Sequence, residues 1–325
     1  MRLLSILTVL LVIIMIAGCQ TGTGNQAGTS TPFIGGQNGL LQSFIQGTPP
    51  DEVFDKGQLE FSIITELENA GESDIAAGAG YVRVEGIKAE DYGVTAADLK
   101  KDIPEITGAK KNTDGSVTSG SKETVQFTGL KFLGSVPGTI QAGPIRVEAC
   151  YDYGTKAVAQ LCIREKLTTE QGRELCEPSG EKDVSNSGAP IHATNLVEQP
   201  LGNGRVQVTF QITPTGQESD RFYKDGTDCN DDLTNKDRYK VFVDVSEVSG
   251  ITPNCILEEK NSTSGGLNGA QGYRTLWNGR PQTVSCTLDF GTIESSFRPL
   301  LNIDLKYRYS QYIEKGLLVQ SMPSG

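Results

Sequence analysis

Leu59-Glu60-Phe61-Ser62-Ile63-Ile64-Thr65-Glu66-Leu67-Glu68-Asn69-Ala70-Gly71 decides the fold class. Leu59, Phe61, Ile63, Thr65 and Leu67 fall on one face, and Glu60, Ser62, Glu66 and Glu68 on the other. A period of two with one apolar face is the pattern of a half-buried β-strand, and Asn69-Ala70-Gly71 supplies the turn that ends it. The same period returns at Val206, Val208, Phe210 and Ile212, at Tyr239, Val241, Val243 and Val245, and at Ile303, Leu305, Tyr307 and Tyr309. Gly/Asn/Asp clusters separate these runs, among them Thr113-Asp114-Gly115-Ser116, Gly202-Asn203-Gly204 and Trp277-Asn278-Gly279. A hairpin is expected from Ile145–Tyr153 and Ala157–Ile163 around a turn at Gly154-Thr155-Lys156. Helical patterns are confined to Thr95–Lys101, stopped by Pro104, and to Thr168–Cys176. Many short strands and few helices imply an all-β fold built of sandwiches.

The N-terminus has a different composition. Met1-Arg2 precedes the apolar run Leu3–Ile16, followed by Ala17-Gly18-Cys19-Gln20. One charge, a short apolar stretch and small exit residues form the layout of a secretory signal. The run falls short of the roughly 20 apolar residues that span a bilayer. Ile16-Ala17-Gly18-Cys19 resembles the lipobox of lipoprotein signal peptides, which implies cleavage before Cys19 and lipidation of that cysteine. An uncleaved signal anchor is the alternative, and both place the remainder outside the membrane. Gln20–Pro50 is rich in Gly, Thr, Ser, Asn and Gln and reads as a flexible tether. The expected layout is a signal over 1–18, lipidated Cys19 and tether over 19–50, and two tandem sandwich domains over 51–187 and 188–325. Roughly 275 residues beyond the tether suffice for two domains.

The chain carries a formal net charge of −11, which disfavours nucleic acid and anionic headgroups. Apart from Cys19, six cysteines remain: Cys150, Cys162, Cys176, Cys229, Cys255 and Cys286. An even number in an exported chain, with no C-x-x-C spacing and a single histidine, reads as three disulfides rather than zinc ligands. Six cysteines allow fifteen connectivities, and strand facing reduces them. In the expected hairpin Cys150 and Cys162 sit diagonally, about 7–8 Å apart, too far for a relaxed bridge. Cys162 then meets Cys176 across a small loop. Cys286 shares a face with Val284 and Leu288, with Cys255 as its partner, and elimination leaves Cys150–Cys229 to link the two halves.

The stretch Leu59–Ile75 resembles the opening strand and Asn-x-Gly turn of CARDB-like and related immunoglobulin-like domains of prokaryotic surface proteins. With its lipobox and tether, the layout is similar to archaeal-type surface lipoproteins. The resemblance implies tandem immunoglobulin-like β-sandwiches and an adhesion, scaffold or envelope role, with no catalytic motif to carry over.

Chemistry-bearing residues are few. Asp225, Asp228, Asn230, Asp231 and Asp232 supply the hard oxygen ligands calcium prefers, without the spacing of an EF-hand. A turn held by a disulfide is the alternative. His192, the single histidine, lacks a Gly-x-Ser-x-Gly partner motif and reads as structural. Trp277 is expected as a buried anchor, with an exposed contact residue as the alternative. Asn261-Ser262-Thr263 is an N-glycosylation sequon. These readings favour a non-enzymatic, lipid-anchored surface module on the outer face of the membrane, with no cofactor and with other envelope proteins as partners. A ligand- or calcium-binding lipoprotein comes next, then an exported hydrolase.

Overall fold

The computed structural model describes residues 31–166, 176–232, 234–258 and 269–322. In chain order the strands are β1 (Leu40–Phe44), β2 (Glu52–Phe54), β3 (Phe61–Asn69), β4 (Gly80–Glu85), β5 (Lys100–Asp102), β6 (Lys110–Lys111) and β7 (Val117–Thr118). Then come β8 (Lys122–Leu130), β9 (Thr139–Gln160), β10 (Gly180–Lys182), β11 (Val184–Asn186), β12 (Ile191–Gly202) and β13 (Arg205–Pro214). The series closes with β14 (Arg221–Tyr223), β15 (Lys240–Val245), β16 (Asn254–Cys255), β17 (Gln271–Thr275), β18 (Gln282–Asp289) and β19 (Leu300–Gln320). Among the described residues the only helical turns are the 3-10 segments Ala89–Tyr92 and Trp277–Gly279. The chain is all-β, with several antiparallel sheets.

β9 and β19, of 22 and 21 residues, organise the molecule. They pair antiparallel from Gln160↔Leu300 to Thr139↔Gln320, with one irregularity near Gly316. At about 3.3 Å per residue each runs roughly 70 Å. Other strands attach in three zones. At one end β15 pairs β19, β17 extends β15, and β11 pairs β9. In the middle β14 pairs β19 while β4 and then β5 extend from β9. At the other end β2 lies parallel to β19.

Alternation decides which face of this sheet is covered. Ile145, Val147, Ala149, Tyr151, Tyr153, Ala157 and Ala159 of β9 are buried, as are Leu301, Ile303, Leu305, Tyr307, Tyr309, Leu317 and Val319 of β19. They belong to one continuous core with residues of the sheet β1-β3-β8 and of the sheet β10-β12-β13-β18-β16. β1 lies against β19, and β12 against both long strands. The Gln311 amide donates to Leu40 O (2.8 Å), and the Thr155 hydroxyl donates to Ile191 O (2.5 Å). Four tyrosines cross the middle of the covered face, Tyr151 opposite Tyr309 and Tyr153 opposite Tyr307. Each buried hydroxyl finds a partner: Gln311 for Tyr151, Asn69 for Tyr153, Thr155 for Tyr307 and Asp220 for Tyr309. A buried phenol without one would carry a desolvation penalty.

The expected strands at 206–212 and 303–309 are present as β13 and β19 with the expected faces buried, and 241–245 lies in β15 with Val241, Val243 and Val245 buried, whereas Tyr239 precedes that strand at φ 59° and is half-buried. Around Phe61–Asn69 the expected face is likewise buried, although Leu59 itself is exposed. The Asn69 side chain accepts from the Gly71 amide at 3.2 Å, closing the turn. Four expectations differ. The hairpin at 145–163 is instead the single strand β9, because Gly154, Thr155 and Lys156 continue in register opposite Lys306, Leu305 and Asp304. Residues expected in the tether form β1, paired with β3. The expected division at 187/188 separates strands that share the central sheet: β4 and β9 precede it, and β15 and β19 follow it. Thr95–Lys101 forms a turn running into β5, with Asp98 accepting from the Thr95 amide and hydroxyl (2.8 and 2.6 Å); seven residues before a proline cannot offset helix nucleation. The signal over 1–18, Cys19 and the helical pattern at 168–175 lie outside the described residues.

Candidate functional site: the stapled acidic loop and its cleft

The uncovered face of the central sheet is polar because the even positions of β9 and β19 point that way. Arg83 and Glu85 of β4, Arg146 and Glu148 of β9, Ser310 and Tyr312 of β19, and Arg221 and Tyr223 of β14 line a cleft of about 650 Å³. The loop that carries Asp228–Asp232 forms its far wall. A disulfide from Cys150 on β9 to Cys229 (Cα–Cα 6.1 Å) pins that loop to the sheet and packs with Tyr81 and Tyr223.

Glu148 is the most constrained acid in the cleft, its side chain only 12 % exposed. It accepts from the Ser310 hydroxyl (2.6 Å) and the Arg83 guanidinium (2.5 Å). Burial pushes its carboxyl up, while the Ser310 hydrogen bond and the Arg83 charge oppose that rise. Arg83 also pairs with Glu85 at 2.7 Å. Arg146 stacks over the Tyr312 ring at 4.0 Å and pairs with Glu314. Burial pushes the Tyr81 phenol well up, and the Glu148 and Asp228 charges add to the effect.

The five residues expected as calcium ligands have separate protein partners. Asp225 accepts from the Tyr273 hydroxyl (2.9 Å). Asp231 pairs with Arg238 (2.8 Å) and accepts from the Tyr223 hydroxyl (3.2 Å). The Asn230 side chain accepts from the Asp232 amide (3.0 Å), and Asp232 from the Thr234 amide and hydroxyl (2.9 and 3.0 Å). Asp228 lies beside Tyr81. Among the described residues no three acidic, histidine or cysteine side chains gather into a cation-holding group. The loop is a series of side-chain-capped turns held by a disulfide.

The other two bridges are Cys162–Cys176, closing a loop of sequence separation 14, and Cys255–Cys286, joining β16 to its neighbour β18. All three pairings agree with the facing argument, although the hairpin used to separate Cys150 from Cys162 does not exist. What survives is the face: Cys150 points away from the core that Ala149 and Tyr151 enter.

His192 places Nε2 3.1 Å from Gly36 O, and burial lowers its pKa. Together with Glu72, which accepts from the Ile34, Gly35 and Gly188 amides (3.1, 2.9 and 2.7 Å), it clamps the N-terminal segment onto the fold. Trp277 is 67 % exposed, not a buried anchor. Leu276 takes the core position, and left-handed Asn278 and Gly279 (φ 55° and 68°) turn the indole outward. Asn261 lies outside the described residues.

Sequence reasoning missed Glu148 and Arg83, although Arg146, Glu148, Cys150 and Asp152 alternate along β9 in plain view. It also missed Glu198, fully buried, which accepts from the Cys162 amide (3.1 and 2.9 Å) and pairs with Lys182 (3.2 Å). Nothing in its local sequence marks that burial.

No family model matches this chain, and no curated protein does. A solved structure described as the complete manganese lipoxygenase of Gaeumannomyces graminis with a partial zonadhesin of Komagataella pastoris aligns at 10 % identity, over 89 % of this chain and 93 % of that one. Its TM-score of 0.12 lies far below that of a shared fold and carries no argument.

Proposed function

We propose that this chain is a non-enzymatic module on the outer face of a cell membrane, lipid-anchored through Cys19 and serving adhesion or envelope assembly. The observation that carries the reading is the pair β9–β19, which runs some twenty residues through both halves and makes them one stiff body. Three disulfides belong to an oxidising, extracellular-type compartment. Among the described residues no helix is long and apolar enough to cross a membrane. A stiff body on a lipidated leader suits a spacer or contact element. The test is surface labelling of intact cells together with membrane fractionation. Wild type should be labelled and sediment with membranes, while Cys19→Ala should lose membrane retention. Labelling only after lysis would refute the proposal.

A second reading, a ligand-binding lipoprotein, draws on the Arg83–Glu148–Ser310 cleft. Its buried, hydrogen-bonded carboxylate suits a small polar ligand more than a free cation, because the Glu148 oxygens already hold a guanidinium and a hydroxyl.

A further inference from the structure

We infer that the cleft on the open face of the central sheet binds a neutral saccharide, whose hydroxyls bridge the carboxylates and guanidinium groups of the floor and of the stapled loop. The inference deepens the ligand-binding reading of this cleft by naming the ligand class, and it rests on that reading.

The floor is a charge mosaic set by strand register. Glu85, Arg146 and Glu314 stand abreast on β4, β9 and β19, and the next row is Arg83, Glu148 and Tyr312. Each charge on this floor has an opposite charge beside it. The pairs close at Arg83–Glu85 (2.7 Å), Arg83–Glu148 (2.5 Å) and Arg146–Glu314 (3.2 Å). The third row brings Ser310 and Arg221 alongside Cys150, and the Arg221 guanidinium donates to the Glu218 and Asp220 carbonyls, both at 2.9 Å. On the wall, Asp231 pairs with Arg238 at 2.8 Å.

This arrangement selects by exclusion. A bare cation has to take Glu148 from Arg83 or Asp231 from Arg238, and a bare anion has to take an arginine from its carboxylate. Either exchange leaves a charge without its partner, and the Glu148 and Arg238 side chains are only 12 % exposed, where an uncompensated charge is costly. An apolar ligand strips water from charged groups and returns no hydrogen bonds. A hydroxyl both donates and accepts. Neighbouring hydroxyls on a ring donate into spare carboxylate lone pairs and accept from guanidinium edges while every ion pair stays closed. An ionised carboxylate offers about four acceptor positions, and Glu148 gives only part of its capacity to Arg83 and Ser310. Asp228 on the loop and Tyr312 on β19 line the cleft and are exposed, so a carboxylate and a phenol are presented to the ligand.

The cleft is also preformed. The Cys150–Cys229 bridge and the side-chain-capped turns hold the wall, and the ion pairs hold the floor, so binding has little side-chain ordering to offset. Its volume of about 650 Å³ lies within the range of small-molecule sites.

The test titrates the full, oxidised chain with a panel of neutral disaccharides built from glucose, galactose, mannose and N-acetylglucosamine, followed by saturation-transfer NMR and calorimetry. Glycylglycine and inorganic phosphate serve as charged probes. At least one disaccharide should bind, and its affinity should change less than about two-fold between low salt and about 0.5 M, because a neutral ligand carries no charge to screen. Asp228→Ala and Tyr312→Ala should each weaken that binding about ten-fold or more. Asp304→Ala, which removes a carboxylate of β19 outside the cleft, should leave it unchanged. Saccharide binding that neither cleft variant weakens would overturn the inference. Binding of a charged probe alone, lost in both cleft variants, would refute the saccharide and leave the ligand-binding reading standing. Silence from every probe would refute both.

Discussion

Removing the Cys150–Cys229 bridge tests the loop-length reasoning behind the staples. The bridge closes a sequence separation of 79, against 31 for Cys255–Cys286 and 14 for Cys162–Cys176. Cross-linking restricts the unfolded chain in proportion to the logarithm of loop length. On that relation the three bridges contribute about 4.5, 3.7 and 3 kcal/mol. The paired variant Cys150→Ala/Cys229→Ala should therefore lose the most stability, about 1.5 kcal/mol more than Cys162→Ala/Cys176→Ala. Equilibrium urea unfolding of the oxidised proteins measures it, with hydrogen exchange as a second readout. Amides of the 224–239 loop should exchange faster in the first variant while those of β9 and β19 remain protected, because the bridge sits on the open face and the core on the other. If the variant without the 79-residue bridge is as stable as the one without the 14-residue bridge, the chain-entropy argument fails for this protein.

Glu198→Ala leaves the Cys162 amide without its acceptor and removes the carboxylate partner of Lys182, whose ammonium keeps only Glu177 O among the described residues; it should cost about 1–3 kcal/mol, measured by thermal or urea unfolding, and Lys182→Met/Glu198→Leu should recover part of that loss. Gly71→Ala brings a Cβ within 2.2 Å of the Tyr153 hydroxyl and 2.4 Å of Gly188 O, so a loss of about 1–3 kcal/mol is expected, and wild-type stability would contradict the packing described. The Glu148 carboxyl is raised by burial, so the folded state holds its proton more tightly than the unfolded state. Its contribution is complete below the ordinary carboxylate value and is lost as pH rises through the folded pKa. Relative to Glu148→Gln, wild type should lose stability as pH is raised from about 4 toward neutrality; a flat difference would refute the assignment.

Alternation made much of the fold legible. β3, β13, β15 and β19 could be read because each presents one apolar face, and the Asn69 turn because its side chain supplies the local bond. Period two reveals which residues face a core and not which strand lies alongside. Gly154-Thr155-Lys156 has the composition of a turn, yet it is opposed along its length by Asp304, Leu305 and Lys306, about 150 residues later, a pairing that no local pattern encodes. For the same reason the two halves read as separate blocks although their longest strands are each other's neighbours. The disulfide pairings were reached by combining strand facing, loop proximity and elimination, and they agree with the structure although the hairpin step does not. Trp277 misled because size suggests burial, whereas the adjacent Leu276 fills the core and two left-handed residues reverse the chain. The acidic loop was found, but the hydroxyls, amides and arginines that claim its oxygens come from residues whose approach depends on the fold.

The most direct test of the surface-anchored account is non-reducing peptide mass spectrometry of the full chain extracted from native membranes. The account predicts an N-terminal peptide that begins at Cys19 and carries acyl chains, alongside the 150–229, 162–176 and 255–286 bridged peptides. An intact Met1 terminus with unmodified Cys19 and free thiols at the other six cysteines would contradict it.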